Sequence, residues 1–207
     1  MYSCVNCGVY ACMEEKPEVV PKNCPMHEKE VLERAKAEYA DPENQKVFAT
    51  AADIESSGYC QWPRVKETIQ FCLRMGFTKV GLAFCKGLSG EARTVAGLFK
   101  EAGIEVVGVC CKAGGTDKAC LGIPEEYKMV EPGEFETACN PIGQAMLMNE
   151  NKTQFNIILG LCIGHDSLFI KYSDAMVTTL VVKDRVTGHN PVAAIYGSEA
   201  FFKKRVR

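Results

Sequence analysis

Ile157-Ile158-Leu159-Gly160-Leu161-Cys162-Ile163-Gly164-His165-Asp166-Ser167 is the stretch on which the reading of this chain turns. A short aliphatic run, a cysteine, a glycine turn and then polar residues fit to open a helix describe a buried strand leading into a helix. Continuously apolar strands of this kind belong to parallel sheets covered on both faces. In such sheets ligands bind beyond the carboxyl ends of the strands. Cys162 and His165 therefore fall on the expected binding rim, and function depends on which other residues share it.

Working outward, Lys79 to Cys85 is a second apolar run, followed by a helix from about Glu91 to Ala102 and a strand from Ile104 to Cys111. Strand, helix, strand at this spacing is a right-handed βαβ unit. Lys112 to Ala138 has no strong periodicity, with at most one helical turn near Pro124–Tyr127, and its length is that of a functional lid. Asn140 then reads as an N-cap with Pro141 in the first helical position, and the helix runs to about Asn149. Strands from Asn156 to Cys162 and Met176 to Lys183 follow, with a helix from Asp166 to Tyr172 between them, and Asn190-Pro191 opens a last helix. The expected fold is α/β: a doubly wound, Rossmann- or flavodoxin-like, mostly parallel sheet of about four to five strands.

Before this lie three expected helices, from Met26 to about Tyr39, from Asp41-Pro42 to about Ser57, and from Arg64 to Met75. The first carries an amphipathic stripe of Val31, Leu32 and Ala35, and the third places Cys72 on a core stripe. The expected organisation is a Cys4 metal-binding module over 1–28, a helical segment packed on the core over 29–76, and an α/β domain over 77–207.

Composition narrows the function. A hydrophobic fraction of 47% and a formal net charge of −2 describe an ordinary globular chain with no footprint for nucleic acid or an anionic membrane, and Lys203 to Arg207 is too short a basic tail to alter that. No membrane span or signal peptide is legible, so a cytoplasmic protein is expected. Twelve cysteines then stand out, because a reducing compartment does not maintain a disulfide framework. Clustered cysteines in that setting bind metal or carry out redox chemistry.

Cys4, Cys7, Cys12 and Cys24 form a C-x2-C-x4-C-x11-C series in which Cys4-Val5-Asn6-Cys7-Gly8 has the form of a zinc knuckle. The spacing favours zinc over an iron–sulfur cluster, although Cys24-Pro25 resembles the Cys-Pro that closes ferredoxin runs. His27 is an alternative fourth ligand if Cys24 points away. A second constellation lies at the strand tips: Cys85, Cys110 or Cys111, and Cys162 end strands, whereas Cys139, His165 and His189 stand at helix starts. Strand neighbours face opposite sides, so only one of Cys110 and Cys111 can join a common site, and Cys111 is nearer the tip. Any single one of these cysteines would pass as core filler; together they read as Cys85, Cys111, Cys139 and Cys162 binding a second zinc or a [4Fe–4S] cluster, or acting as nucleophiles. His165 and His189 are candidate proton donors or acceptors, the latter beside Asp184 and Arg185. Asp166 and Ser167 read first as helix caps. Gly87 to Glu91 has the position of a phosphate loop but lacks both nucleotide fingerprints.

Cys4–Gly8, Cys85, Cys139-Asn140-Pro141, Gly160 to Ser167 and Val181 to Pro191 also carry a family resemblance. The chain resembles, over nearly its whole length, the cysteine-rich group labelled domain of unknown function 1847, described as metal-binding proteins of anaerobic bacteria and archaea. The resemblance implies metal binding and a setting that suits iron–sulfur chemistry, and it assigns no reaction.

The functional expectation is a metal-binding protein with a structural N-terminal zinc and a second thiolate-rich site for redox or sulfur-transfer chemistry on a small molecule, with no nucleic-acid or membrane partner. Its alternatives are a non-catalytic metal or redox sensor and a zinc-stapled interaction protein. A closed coordination sphere would separate the sensor from the enzyme.

Overall fold

In a computed structural model, residues 1–14 and 19–207 are described, and the chain divides into two compact units, Met1–Ser57 and Gly58–Arg207. The first unit opens with single 3-10 turns at Cys4–Asn6, Ala11–Met13 and Pro25–His27, then continues into α1 (Lys29–Glu38) and α2 (Pro42–Gly58). α1 starts three residues later than expected, because Pro25 begins a separate 3-10 turn. Its stripe is not covered: Val31 and Leu32 are exposed and α1 buries no residue fully. Asp41 starts α2 by accepting from the amides of Glu43 and Asn44 at 2.9 and 3.2 Å, which satisfies donors that a helix start otherwise leaves open.

In the second unit four strands form one sheet: β1 (Lys79–Phe84), β2 (Glu105–Cys110), β3 (Phe155–Leu159) and β4 (Val177–Val181). All pairings are parallel and the order is β2-β1-β3-β4. The helices are α3 (Arg64–Met75), α4 (Ser89–Glu101), α5 (Pro141–Glu150), α6 (His165–Tyr172), α7 (Pro191–Tyr196) and α8 (Lys203–Val206). This is the α/β sheet flanked by helices that the sequence predicts. α3, grouped with the helical segment on sequence grounds, lies in this second unit.

Period-two alternation assigns each side chain to a layer. Val80 and Leu82 of β1 and Ile157 and Leu159 of β3 pack with Phe99 of α4 and Cys72 of α3. Ala83 and Ile158 point the other way, onto Ala145 and Met148 of α5 and Phe169 of α6. The connection from β1 runs outward to β2, whereas that from β3 runs outward to β4, so the winding reverses between β1 and β3. Such a reversal opens a crevice beyond the strand ends.

The strands end earlier than the sequence suggests. β1, β2 and β3 stop at Phe84, Cys110 and Leu159, so Cys85, Cys111 and Cys162 lie just past the strands rather than being their last residues. The cause at β3 is Gly160, whose φ of 68° turns the chain after its amide bonds Val181 O at 2.8 Å. A Cβ there would also lie 2.1 Å from Leu88 Cδ1. The 112–138 connection holds two 3-10 turns rather than one, Ala119–Leu121 and Glu125–Tyr127, and a bridge between Asp117 and Thr137 closes its base. Lys128 spans that loop with ion pairs to Glu125 at 2.8 Å and Asp117 at 3.3 Å. Among the described residues no helix is long and apolar enough to cross a membrane.

The layer on the α5 side leaves no space at Gly81. A Cβ would meet Asn156 Oδ1 at 2.1 Å and Met148 Sδ at 2.5 Å. Asn156 is fully buried, and its side chain is held by Thr153 Oγ1 at 2.8 Å and Ser173 Oγ at 2.7 Å, so it cannot yield. Gly81→Ala is expected to lower unfolding free energy by about 1–3 kcal/mol in urea denaturation. Gly97→Ala, in α4 with open space at the Cβ, is the control and should stabilise by about 0.5–1 kcal/mol.

Candidate thiolate site

Cys85 and Cys111 reach one place through strand geometry. Phe84 pairs with Cys110 in the β1–β2 register, and the Cys111 amide continues the ladder to Phe84 O at 2.8 Å. Cys85 and Cys111 are thus the next pair, on the face that already carries Ala83, Val107 and Val109. The Asn140 amide then donates to Cys111 O at 2.7 Å, which brings the start of α5 against the tip of β2. Asn140 Oδ1 caps that helix by accepting from Gly143 N at 2.8 Å, and its Nδ2 donates to Ala113 O at 3.1 Å. Cys139, one residue before this clamp, comes to rest against Cys111. Gln144, fully buried one turn into α5, donates to Val109 O at 2.7 Å beneath the same tips.

The three thiols differ sharply. The Cys111 thiol is buried and lies in one packed cluster with Cys85 and Cys139, near enough to interact with both. Its hydrogen bond toward Cys139, and then its burial, hold the Cys111 proton on well beyond the ordinary thiol range. Cys139 is the acceptor: hydrogen bonds from Cys111 and from His165, aided by the charge of Lys112, push its thiol down to about 4. At Cys85 burial is the largest influence and raises the thiol. The Gly87 amide, Lys183 and Cys111 together outweigh it, so Cys85 ends below its ordinary value. Lys183 Nζ donates to Cys85 Sγ at 3.2 Å, and the Lys86 amide donates to Cys111 Sγ at 3.3 Å.

Cys162 approaches from β3. After Gly160 the chain crosses to a turn in which Cys162 O accepts from the His165 and Asp166 amides at 2.9 and 3.1 Å, starting α6. Arg185 Nη2 donates to Cys162 Sγ at 3.0 Å, and Arg185 also feels the charges of Cys85 and Cys139. Asp166 Oδ1 accepts from the Ser167 amide at 2.8 Å, within its own helix start. The structure therefore collects Cys85, Cys111 and Cys139 in one packed cluster, with His165 near enough to act on Cys139 and Arg185 standing between Cys162 and the others.

Other candidates have different surroundings. His189 adopts φ of 68°, its amide donates to Asp184 O at 2.7 Å, and its Nδ1 accepts from the Asp184 amide at 3.1 Å, so the ring staples the 184–189 turn. Cys72 is core, with burial raising its thiol to about 12, and Cys60 and Cys120 are exposed. Lys183 and Arg185 were not among the candidates taken from the sequence. Lys183, the last residue of the expected fourth strand, meets the strand-end criterion applied to the cysteines, and Arg185 stands two residues beyond it.

At the N-terminus the Cys4–Cys7 turn is closed by the Cys7 amide on Cys4 O at 3.1 Å. The Tyr10 amide donates to Cys7 Sγ at 3.3 Å, and the amides of Tyr10 and Val9 lower the Cys7 thiol. Amides aimed at a sulfur after a C-x2-C-Gly turn are what a knuckle supplies to a metal-bound thiolate. His27 Nε2 donates to Pro21 O at 3.0 Å. Residues 15–18, within the spacer between Cys12 and Cys24, lie outside the described residues. Among the described residues no three His, Cys, Asp or Glu side chains converge as a metal-ligating group.

Fold and site together define an α/β protein with a thiol cluster at the switch point of a parallel sheet. The chain belongs to the family described as protein of unknown function DUF1847, whose model matches residues 24–180. It is 44% identical over 183 residues to an uncharacterized protein of Methanocaldococcus jannaschii, an alignment covering 88% of this chain and 90% of the relative. The matched family region contains all the strand-edge cysteines and His165; Lys183 and Arg185 lie just beyond it.

The Cys139 environment is directly testable. A thiol with a folded value near 4 is ionised at higher pH, so in reduced, chelator-treated protein its alkylation by iodoacetamide should persist to about pH 5, whereas Cys72, raised to about 12 by burial, stays unmodified there. His165→Ala removes one donor and should move the midpoint of the rate profile upward. Peptide mass spectrometry against pH reads both; a Cys139 profile that rises only toward pH 9 contradicts the assigned environment.

Proposed function

We propose that this protein uses the strand-edge thiols for redox or sulfur-transfer chemistry on a small molecule, and that Cys4, Cys7, Cys12 and Cys24 hold a structural zinc. The observation that carries the first part is the packed cluster Cys85–Cys111–Cys139, with a thiolate at one end and Lys183, Arg185 and His165 around it. Thiolate, protonated thiol and cations side by side are what thiol chemistry requires: a nucleophile, a second sulfur to attack it, and charge to hold the leaving anion. A sheet-edge crevice is where an α/β fold binds small molecules.

The zinc reading rests on the Cys4–Cys7 turn and its amide-to-sulfur donors. Bound there, zinc would supply folding free energy to a segment with few buried apolar residues, of which Ala11 is one. A second reading of the strand edge is supported by one feature: Cys85, Cys139 and Cys162, from three separate elements, all act on Arg185, and soft thiolates brought to one edge are the donors a soft metal takes. In that case Cys85, Cys111, Cys139 and Cys162 would hold a second zinc or a [4Fe–4S] cluster.

Anaerobic purification followed by elemental analysis and an absorption spectrum separates these. Colourless protein carrying stoichiometric zinc, lost in Cys7→Ala and retained in Cys162→Ala, is the expected result. Brown, iron-containing protein whose colour survives Cys7→Ala but not Cys162→Ala would assign the strand edge to a cluster. Protein free of both metals would contradict the zinc assignment.

A further inference from the structure

Cys111 occupies a position that neither neighbour shares. On one side the register makes it the partner of Cys85: paired residues on parallel strands lie about 4.8 Å apart, inside the Cα range at which a disulfide closes. On the other side the 2.7 Å clamp from the Asn140 amide sets Cys139 beside it, packed in the same cluster. Cys111 is 3% exposed, so a dissolved molecule reaches it only by way of its neighbours, both of which are partly exposed.

Resting on the reading of this edge as a thiol site, we propose that Cys111 is the shared partner of two mutually exclusive disulfides, Cys111–Cys139 and Cys85–Cys111, forming a relay that reduces low-molecular-weight disulfides arriving at Cys139. The Cys139 thiolate attacks one sulfur of RS–SR; the S–S bond breaks and RS⁻ leaves. Cys111 gives up its proton, its sulfur attacks Cys139 Sγ, and the second RS⁻ departs. The substrate has gained two electrons, and the leaving thiolates take one proton from Cys111 and one from solvent. The oxidation now resides in the Cys111–Cys139 bond. Cys85, as the thiolate beside Lys183, then attacks Cys111 Sγ; Cys139 leaves as thiolate, so charge is conserved and there is no net redox change. The relay carries the oxidised bond from the α5 start to the tip of β1 and returns Cys139 to its thiolate; a second substrate is reduced once an external dithiol has reduced the Cys85–Cys111 bond and been oxidised to its own disulfide. Lys112, Lys183 and Arg185 around the thiols favour substrates that carry carboxylates.

The test uses the full, reduced chain with one equivalent of 5,5′-dithiobis(2-nitrobenzoate), a carboxylate-bearing disulfide whose released thiolate is coloured. Acid-quenched samples are mapped by mass spectrometry. Two thiolates released together, an early Cys111–Cys139 bond and later growth of Cys85–Cys111 support the relay. Cys85→Ser should leave Cys111–Cys139 as the final state, and Cys111→Ser should stop at a mixed disulfide on Cys139 with one thiolate released. A stable mixed disulfide on Cys139 of the unaltered chain, with Cys111 still reduced, overturns the relay and leaves the thiol site standing. An unreactive Cys139 overturns both. Because Cys111 is buried, Cys85→Ser provides an independent reading if Cys111→Ser fails to fold; persistence of a Cys111–Cys139 bond in it and not in the unaltered chain is the decisive comparison.

Discussion

The placing of Cys139 at the strand edge depends first on one backbone hydrogen bond, from the Asn140 amide to the Cys111 carbonyl at 2.7 Å. Twenty-seven residues separate Cys111 from Cys139, and the bridge between Asp117 and Thr137, with the Ala138 amide on Thr116 O at 2.8 Å, draws the two ends of that connection together. The bond joins the start of α5 to the tip of β2, while Asn140 Oδ1 satisfies the helix and Nδ2 fixes the chain at Ala113. One asparagine thereby binds helix, strand and loop to each other. Since α5 also covers Ala83 and Ile158, the packing of the layer and the placing of Cys139 are parts of the same contact.

Charge follows from that geometry. Three sulfurs in one cluster at a half-buried edge would all remain protonated if burial acted alone, because desolvation disfavours thiolates. The chain counters this with directed donors: loop amides at Cys85 and Cys111, Lys183 at Cys85, His165 at Cys139 and Arg185 at Cys162. The proton is thereby concentrated on Cys111, the most enclosed of the three. Hydrogen bonds to a charged acceptor are the stronger kind, and partial burial of the sulfurs strengthens them further.

Much of this was legible in the sequence, and the parts that were not have physical reasons. The apolar runs after Gly76 and at Ile157 specify parallel strands, and Asn140-Pro141 specifies a capped helix, because both signals are local. Cys111 rather than Cys110 was legible through alternation, and the register gives the fuller reason: Cys111 has the parity of Cys85. Strand ends were placed too late because an apolar residue past a left-handed glycine, such as Leu161, looks the same in sequence as one still in the ladder. Lys183 and Arg185 escaped because basic residues after a strand usually belong to solvent, and only the sulfurs opposite give them partners. The stripe of α1 shows the converse limit: periodicity reports a face that can be buried, and Val31 and Leu32 remain exposed.

The measurement closest to the central claim is whether Cys85, Cys111 and Cys139 lie within bridging distance in the reduced protein. A trivalent arsenical such as phenylarsine oxide closes a stable ring only across two neighbouring thiols, and peptide mapping identifies the pair. Within residues 58–207 the arsenic is expected to bridge Cys111 to Cys139 or to Cys85. Arsenic confined to other cysteines of that unit, with Cys111 left free and the three thiols alkylating independently, would contradict it.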